Sequence, residues 1–183
     1  PEMDLNTWKQ VGNALDAANA KGIDCGLTTA WHSWIHLENF SAYHDLPFAT
    51  KGNGFAGLDT ELSFNSPVHI KHIQNLGKWS QEGKFKYLGR RNESGKNFRA
   101  GECMFFTESS AGYAGIKKEA KFEFGIRHLP YYGATSAPQN TIIGGASLWA
   151  LSGQSAEENT GTAAFLAFLS GTCIQAQWHQ DIG

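Results

Sequence analysis

Two tryptophans three residues apart, Trp31 and Trp34, sit in the stretch TTAWHSWIHLENF with His32 and His36 among them. Indoles at this spacing can fill a core, flank a metal, or form a floor. On such a floor the apolar C–H face of a polyol or sugar stacks, and its hydroxyls go to nearby polar groups. If the stretch is helical, positions i and i+3 share a face, and so do histidines four apart. His32 and His36 therefore have a spacing that can chelate zinc. Zinc, however, takes three or four ligands, and the glutamate of an HExxH motif is absent. His69 and His72 are a second close pair without further partners in the pattern. No metal and no cofactor is expected, and the histidines read as surface or partly buried members of amphipathic helices. For the tryptophans, spacing alone leaves core and platform open.

Two further stretches carry possible chemistry. The segment ESSAG resembles half of a nucleophile elbow, but Glu108 stands where the G-x-S-x-G pattern needs glycine. No His and Asp partners can be nominated, and the carboxylates are scattered without an acid–base pair, so no catalytic residue is assigned. Ser109 and Ser110 instead fall between an apolar run and a helical run, where one of them caps the helix. Free N–H groups and the positive helix end then face whatever lies beyond the strand, which is where open α/β sheets bind ligands. The other stretch is IIGGASLW, whose Gly144 and Gly145 interrupt an apolar run. Such glycines mark a bulge or a close approach by backbone or ligand. Neither a Walker motif nor G-x-G-x-x-G accompanies them.

The elements that must position these residues follow from periodicity and punctuation. Apolar residues Trp8, Val11, Leu15 and Ala18 predict a helix over 5–20, closed by Gly22. Ile23 to Thr28 reads as a strand and Trp31 to Tyr43 as a helix. A glycine-rich loop follows Pro47, then a strand over 59–64. Ser66 as N-cap and Pro67 at the first helical position open a helix that Gly83 stops; Val68, Ile73, Leu76 and Trp79 or Ser80 follow roughly helical spacing along it. A short helix over 93–103, a strand over 103–107 and a helix starting at the serine pair come next. Strands are predicted over 121–130 and 141–153, with a loop over 130–140 between them. Two helices, from Glu157 to Leu169 and from Thr172 to His179, close the chain. Short apolar strands mixed with helices predict an α/β fold, a mixed sheet flanked by helices on both faces.

Bulk properties exclude several classes. The 183 residues suit one domain or one lobe of a larger protein, and the chain, starting at Pro1 and ending at WHQDIG, reads as a piece of one. Hydrophobic residues are 41% and charged residues 17%, a globular composition. A formal charge of −2 gives no footprint for nucleic acid. No apolar run approaches the ~20 residues that span a membrane. Cys25, Cys103 and Cys173 form no CxxC pair. Cys25 and Cys103 fall in predicted strands and are buried thiols, or a bridge if those strands adjoin. Asn39 and Asn92 head glycosylation sequons, relevant only in a eukaryotic secretory setting.

The block CGLTTAWHSWIHLENFSAYHDLPFATKGNGFAGLDTELSFNSPVHIKHIQNL resembles the glycerol-3-phosphate-binding branch of the solute-binding proteins that serve bacterial ABC importers. APQNTIIGGASLWALSG and the closing AQWHQ match in the same order, and FRAGECMFFTESS matches more loosely. The resemblance covers essentially the whole chain and is thinnest between about Leu88 and His128. It implies a periplasmic-binding-protein type II lobe: residues 1–183 would be a single lobe, the second of two, truncated at both ends. Such lobes close on ligand by a hinge motion. It further implies a periplasmic monomer that binds sn-glycerol-3-phosphate or a glycerophosphodiester, hands it to an inner-membrane permease, and performs no chemistry. Carried over by position, Trp31 and Trp34 become the stacking floor, Ser109 a hydrogen-bonding group, and Gly145 a backbone contact where a side chain would collide. Ala30 and Ser33 replace glycines of the family frame, and AGY replaces a Gly-Ser pair after the serines; both changes bear on ligand preference. A sugar-binding importer protein and, from another class, a phosphodiester hydrolase are the alternative readings.

Overall fold

Leu27, Thr28 and Thr29 form strand β1 and are buried on both faces. In the computed structural model, which describes residues 3–133 and 138–181, β1 pairs in parallel with β2, Phe105–Thr107. The register sets Leu27 against Phe105 and Thr29 against Thr107. On its other side β1 meets the segment at Phe85 through Leu27 N–H to the Lys84 carbonyl, 2.9 Å, and Lys86 N–H to the Leu27 carbonyl, 2.9 Å. Crossover connections make parallel pairing natural here, since helices intervene between the partners.

The helices form where local signals place them. α1, Trp8–Ala20, is closed at its start by a capping box: Gln10 N–H donates to Thr7 Oγ1, and Thr7 N–H donates back to Gln10 Oε1 at 2.8 Å. It therefore begins three residues later than its expected boundary. A π-helix, Trp34–Asn39, continues directly as α2, Phe40–Tyr43. After it comes α3, Thr50–Asn53, a single turn in which Lys51 and Gly52 are left-handed. α4, Pro67–Gln81, starts on the predicted Ser66 cap. α5, Gly95–Arg99, precedes β2, and a 3-10 turn, Ser110–Gly112, leads into α6, Tyr113–Glu119. α7, Ala156–Leu169, has its own capping box, Ser155 with Glu158, and α8, Thr172–Asp181, follows.

The chain divides into two units, Pro1–Gly144 and Gly145–Gly183. The first is built on a core of Trp8, Val11, Leu15, Leu27, Phe40 and Leu76 with Trp79 and Phe85. Gly26 lets β1 approach α1: a Cβ there would lie 2.6 Å from Leu15 Cδ2 and 2.9 Å from the Lys84 carbonyl oxygen. Cys25 and Cys103, at the amino ends of the two strands, form a disulfide across 78 positions of sequence. Closing a loop of that length restricts the unfolded chain by about 4.5 kcal/mol in the chain-entropy treatment. In the second unit none of the described residues of α7 and α8 is buried.

Several expectations are corrected. The strand over 59–64 reduces to one antiparallel bridge, Ala49 with Leu62. Residues 121–130 form no strand, and the nearest pairing is the bridge between Thr7 and Tyr131. Residues 141–153 are irregular. Their alternating or apolar patterns mark extended segments, but a strand also needs a continuous ladder of backbone hydrogen bonds to a neighbouring strand, and the described residues form none there. The sheet there is thus a parallel pair with flanking bridges rather than a mixed sheet, within a helix-rich α/β arrangement. The loop over 130–140 falls partly on 134–137, outside the described residues. No helix among the described residues is long and apolar enough to cross a membrane.

Candidate functional site

The parallel register delivers two segments to one edge. β1 and β2 end together at Thr29 and Thr107, so Ala30–Trp31 and Glu108–Ser109 leave the sheet side by side. Ala30 N–H donates to the Thr107 carbonyl at 3.0 Å, which ties the two exits together. This is the carboxyl edge of a parallel pair, the position at which open α/β sheets hold ligands.

Trp31 is not inside a helix, contrary to the expectation from spacing. It adopts a left-handed φ of 44°. Its N–H donates to the Arg91 carbonyl at 2.9 Å, and its own carbonyl accepts from Ile35 N–H at 2.9 Å. Trp31 thus caps the turn that leads into the π-helix, with its side chain 37% exposed. Trp34 opens the π-helix and is half-buried. The i, i+3 argument for a shared face fails because the first indole stands on non-helical backbone. Gly144 lies against Trp34: a Cβ on it would be 3.4 Å from Cζ2 of the indole.

Asn39 braces this corner. Its Nδ2 donates to the Trp34 carbonyl at 2.9 Å, and its Oδ1 accepts from Ile142 N–H at 2.8 Å. The wider π turn leaves carbonyls that a side chain can reach, and such turns recur at functional sites. Asn39 is buried with both ends of its amide engaged, so it is no acceptor for glycan in the folded chain.

Ser109 is the serine that caps. Its Oγ accepts from Ala111 N–H at 3.3 Å. That bond uses a lone pair and leaves the hydroxyl proton to give. The Ser109 N–H donates to Glu108 Oε1 at 2.7 Å. Burial raises the Glu108 carboxyl above its usual range, offset by that N–H and by Arg99. Gly145 belongs to the second unit. Its φ of 135° suits glycine, while the space for a Cβ is open within 4 Å. The visible constraint there is conformational and not a collision.

The histidines are the largest departure from the sequence reading. His36, His44, His69 and His72 are all buried rather than on the surface. His36 Nδ1 lies 3.0 Å from His72 Nε2. His69 sits between Ser41 Oγ at 2.8 Å and Ser66 Oγ at 2.7 Å. His44 Nε2 accepts from Tyr132 N–H at 3.1 Å. Phe40 stacks on His72 with ring centroids 4.1 Å apart. Burial holds the His36 imidazole down to about 3, helped by the nearby His32. Burial, then repulsion from His36, His44 and His69, holds His72 well below its ordinary value. Buried imidazoles in this state are neutral donors and acceptors. Among the described residues no three His, Cys, Asp or Glu side chains converge to hold a metal.

Sequence reasoning missed Asn39, His36, Thr29, Thr107 and Ser94 as parts of this edge. Ser94 Oγ donates to the Thr29 carbonyl at 2.8 Å. Only the unusual density of hydroxyl and imidazole groups in predicted core segments could have flagged them.

The family model described as bacterial extracellular solute-binding protein matches residues 1–183. The sn-glycerol-3-phosphate-binding periplasmic protein UgpB of Shigella flexneri serotype 5b is 46% identical over 184 aligned positions, covering 100% of this chain and 42% of the relative. UgpB of Escherichia coli strain K12 is 45% identical with the same coverage. The chain thus spans less than half the length of these relatives. It belongs to the bacterial extracellular solute-binding protein family.

Proposed function

We propose that the chain is most of the second lobe of a two-lobed, type II periplasmic binding protein, and that the whole protein captures sn-glycerol-3-phosphate or a glycerophosphodiester for an ABC importer. The observation that carries this reading is an exposed indole, Trp31, leaving the carboxyl edge of a parallel pair beside Ser109. It occurs in a chain 45–46% identical to proteins named for binding sn-glycerol-3-phosphate. In this reading Trp31 and Trp34 present apolar ring surface to the glycerol C–H groups. Ser109 donates its hydroxyl proton to a ligand oxygen, and Gly145 offers backbone. The other lobe supplies the second wall of the cleft and much of the ligand burial. The protein acts as a periplasmic monomer, hands its cargo to the permease, and does no chemistry. A bridged Cys25–Cys103 pair accords with that oxidising compartment.

Calorimetry on the full-length protein tests the reading. Glycerol-3-phosphate or glycerophosphocholine should bind, and maltose should not. Removing the indole in Trp31→Ala should weaken binding by about 1–3 kcal/mol, by analogy with aromatic stacking on bases. Tight maltose binding without a response to glycerol-3-phosphate would move the protein to the sugar importers. Release of free choline from glycerophosphocholine, lost in Ser109→Ala, would make it a hydrolase.

A further inference from the structure

Thr29 and Thr107 are the last registered pair of β1 and β2, and their hydroxyls set a direction. Thr107 Oγ1 donates to Thr29 Oγ1 at 2.6 Å. Thr29 Oγ1 in turn donates to the Ala30 carbonyl at 2.9 Å, with the Thr107 carbonyl a longer partner at 3.4 Å. A hydroxyl has one proton. With that proton given away, Thr107 Oγ1 can only accept from His36 Nε2, which is 3.5 Å away and is the longest link. A hydrogen bond across that gap requires the His36 proton on Nε2, with Nδ1 left to accept. The donor to that Nδ1 is His72 Nε2, at 3.0 Å. His72 is then the same tautomer, and its Nδ1 faces the Tyr132 hydroxyl at 3.4 Å. The Tyr132 oxygen accepts from Asn75 Nδ2 at 2.7 Å. One line of protons, all pointing the same way, runs from α4 to the carbonyl of the residue before Trp31.

We propose that His36 is a positioning residue for the ligand floor: as its neutral Nε2–H tautomer it orients the Thr107 hydroxyl and, through Thr29, the Ala30 carbonyl from which Trp31 departs. The inference rests on the reading of Trp31 as that floor. Three observations support it. His36 is 2% exposed and His72, Thr29 and Ala30 are 0% exposed, so water does not stand in for a lost link at these groups, while Thr107 itself is half-buried. Trp31 holds a left-handed backbone, a conformation that persists only where its surroundings over-determine it. The groups around the imidazole pair are Trp8 of α1, Phe40 of α2 and His44 just after it, His69 of α4, Tyr132 and, nearby, His32. None of these is a carboxylate that would favour a second proton on the pair. Adding one to His36 would set two N–H groups against each other at 3.0 Å, and adding one to His72 would turn its Nδ1 from an acceptor into a donor toward the Tyr132 hydroxyl, reversing that link.

The test uses the full-length protein, with sn-glycerol-3-phosphate titrated by calorimetry and a melting curve taken for every variant. Thr107→Val keeps the branched shape and removes the hydroxyl; it should weaken binding about tenfold, the scale of one buried hydrogen bond. His36→Phe should do the same, and the double variant should be no worse than either alone. His36→Gln restores a donor and an acceptor and should recover most of the affinity. Imidazole nitrogen shifts should report Nε2–H tautomers for both His36 and His72 at neutral pH, and the Trp31 indole N–H resonance should move in Thr107→Val. An Nδ1–H tautomer at His36, or a folded Thr107→Val protein that binds like the parent with an unmoved Trp31 resonance, overturns the proposal. If Thr107→Val does not fold, the contrast between His36→Gln and His36→Phe decides, and equal affinities overturn it. Failure of the parent protein to bind sn-glycerol-3-phosphate counts against the ligand reading alone. The nitrogen shifts and the Trp31 resonance then still decide the relay.

Discussion

α1 and α4 are helices of 13 and 15 residues that pack on each other through Trp8 and Trp79, and they bury opposite kinds of side chain. The core face of α1 is Trp8, Val11, Leu15 and Ala18. That of α4 is His69, His72, Leu76 and Trp79, while its isoleucines Ile70 and Ile73 remain 48% and 45% exposed. The difference teaches what burial requires. An apolar face needs only to leave water. A polar face can be buried if every donor finds an acceptor, and here hydroxyls of Ser41, Ser66 and Thr107 and the imidazoles themselves complete the set.

The contrast can be broken at either helix. The largest effect should come from α1: Trp8→Ala removes the ring that touches His36, His72 and Trp79, at about 3–5 kcal/mol, read as a shift of the urea midpoint. Next is acid. His36 and His72 are held below the ordinary imidazole value in the folded state, so below about pH 6.5 the unfolded chain binds more protons. Their contribution is fully present above that pH and is lost as the pH falls, by up to about 1.4 kcal/mol per pH unit for each group. Melting curves from pH 7 to pH 4.5 should show this slope, and His72→Gln should flatten it. A pH-independent melting point over that range would mean that the pair does not stay neutral.

A smaller effect separates the two N-caps. Thr7→Ala should cost about 1 kcal/mol, the usual value of a cap. Ser66→Ala should cost more, because Ser66 also holds His69 Nδ1 at 2.7 Å. Equal shifts in chemical denaturation would show that the His69 bond adds nothing. The smallest effect belongs to the outer face of α4: Ile73→Gln should lie within about 0.5 kcal/mol, as exposed substitutions do. A large loss there would reveal that Ile73 is covered in the full-length protein.

The same contrast explains how far the sequence could be read. α1 and α4 are legible because apolar periodicity, the Ser66 cap with Pro67, and the stops at Gly22 and Gly83 are local signals, while the caps Thr7 and Ser155 that set the starts of α1 and α7 go unread in the pattern. β2 and its handover to the Ser109 turn were legible for the same reason. The family and the residues at the carboxyl edge came from resemblance, since Trp31 and Ser109 are 78 positions apart and spacing cannot relate them. Three things stayed hidden. The extended segments at 59–64, 121–130 and 141–153 carry strand-like patterns, but pairing depends on a partner that pattern does not show. The left-handed residue Trp31, which precedes the π turn, is a backbone state that no propensity predicts for a tryptophan. The histidine core is invisible because each imidazole looks polar until its partner, as far as 88 positions away, is known.

The backbone at Trp31 carries a consequence for anyone selecting improved versions of this protein. A left-handed residue with a large side chain costs about 1–2 kcal/mol relative to glycine, so Trp31→Gly should relax the chain while deleting the exposed ring. A screen that rewards heat resistance alone will therefore favour a variant without this indole, which in the proposed reading is part of the ligand surface. Selection for capture must oppose that pull, which makes position 31 a place where robustness and usefulness are in direct competition.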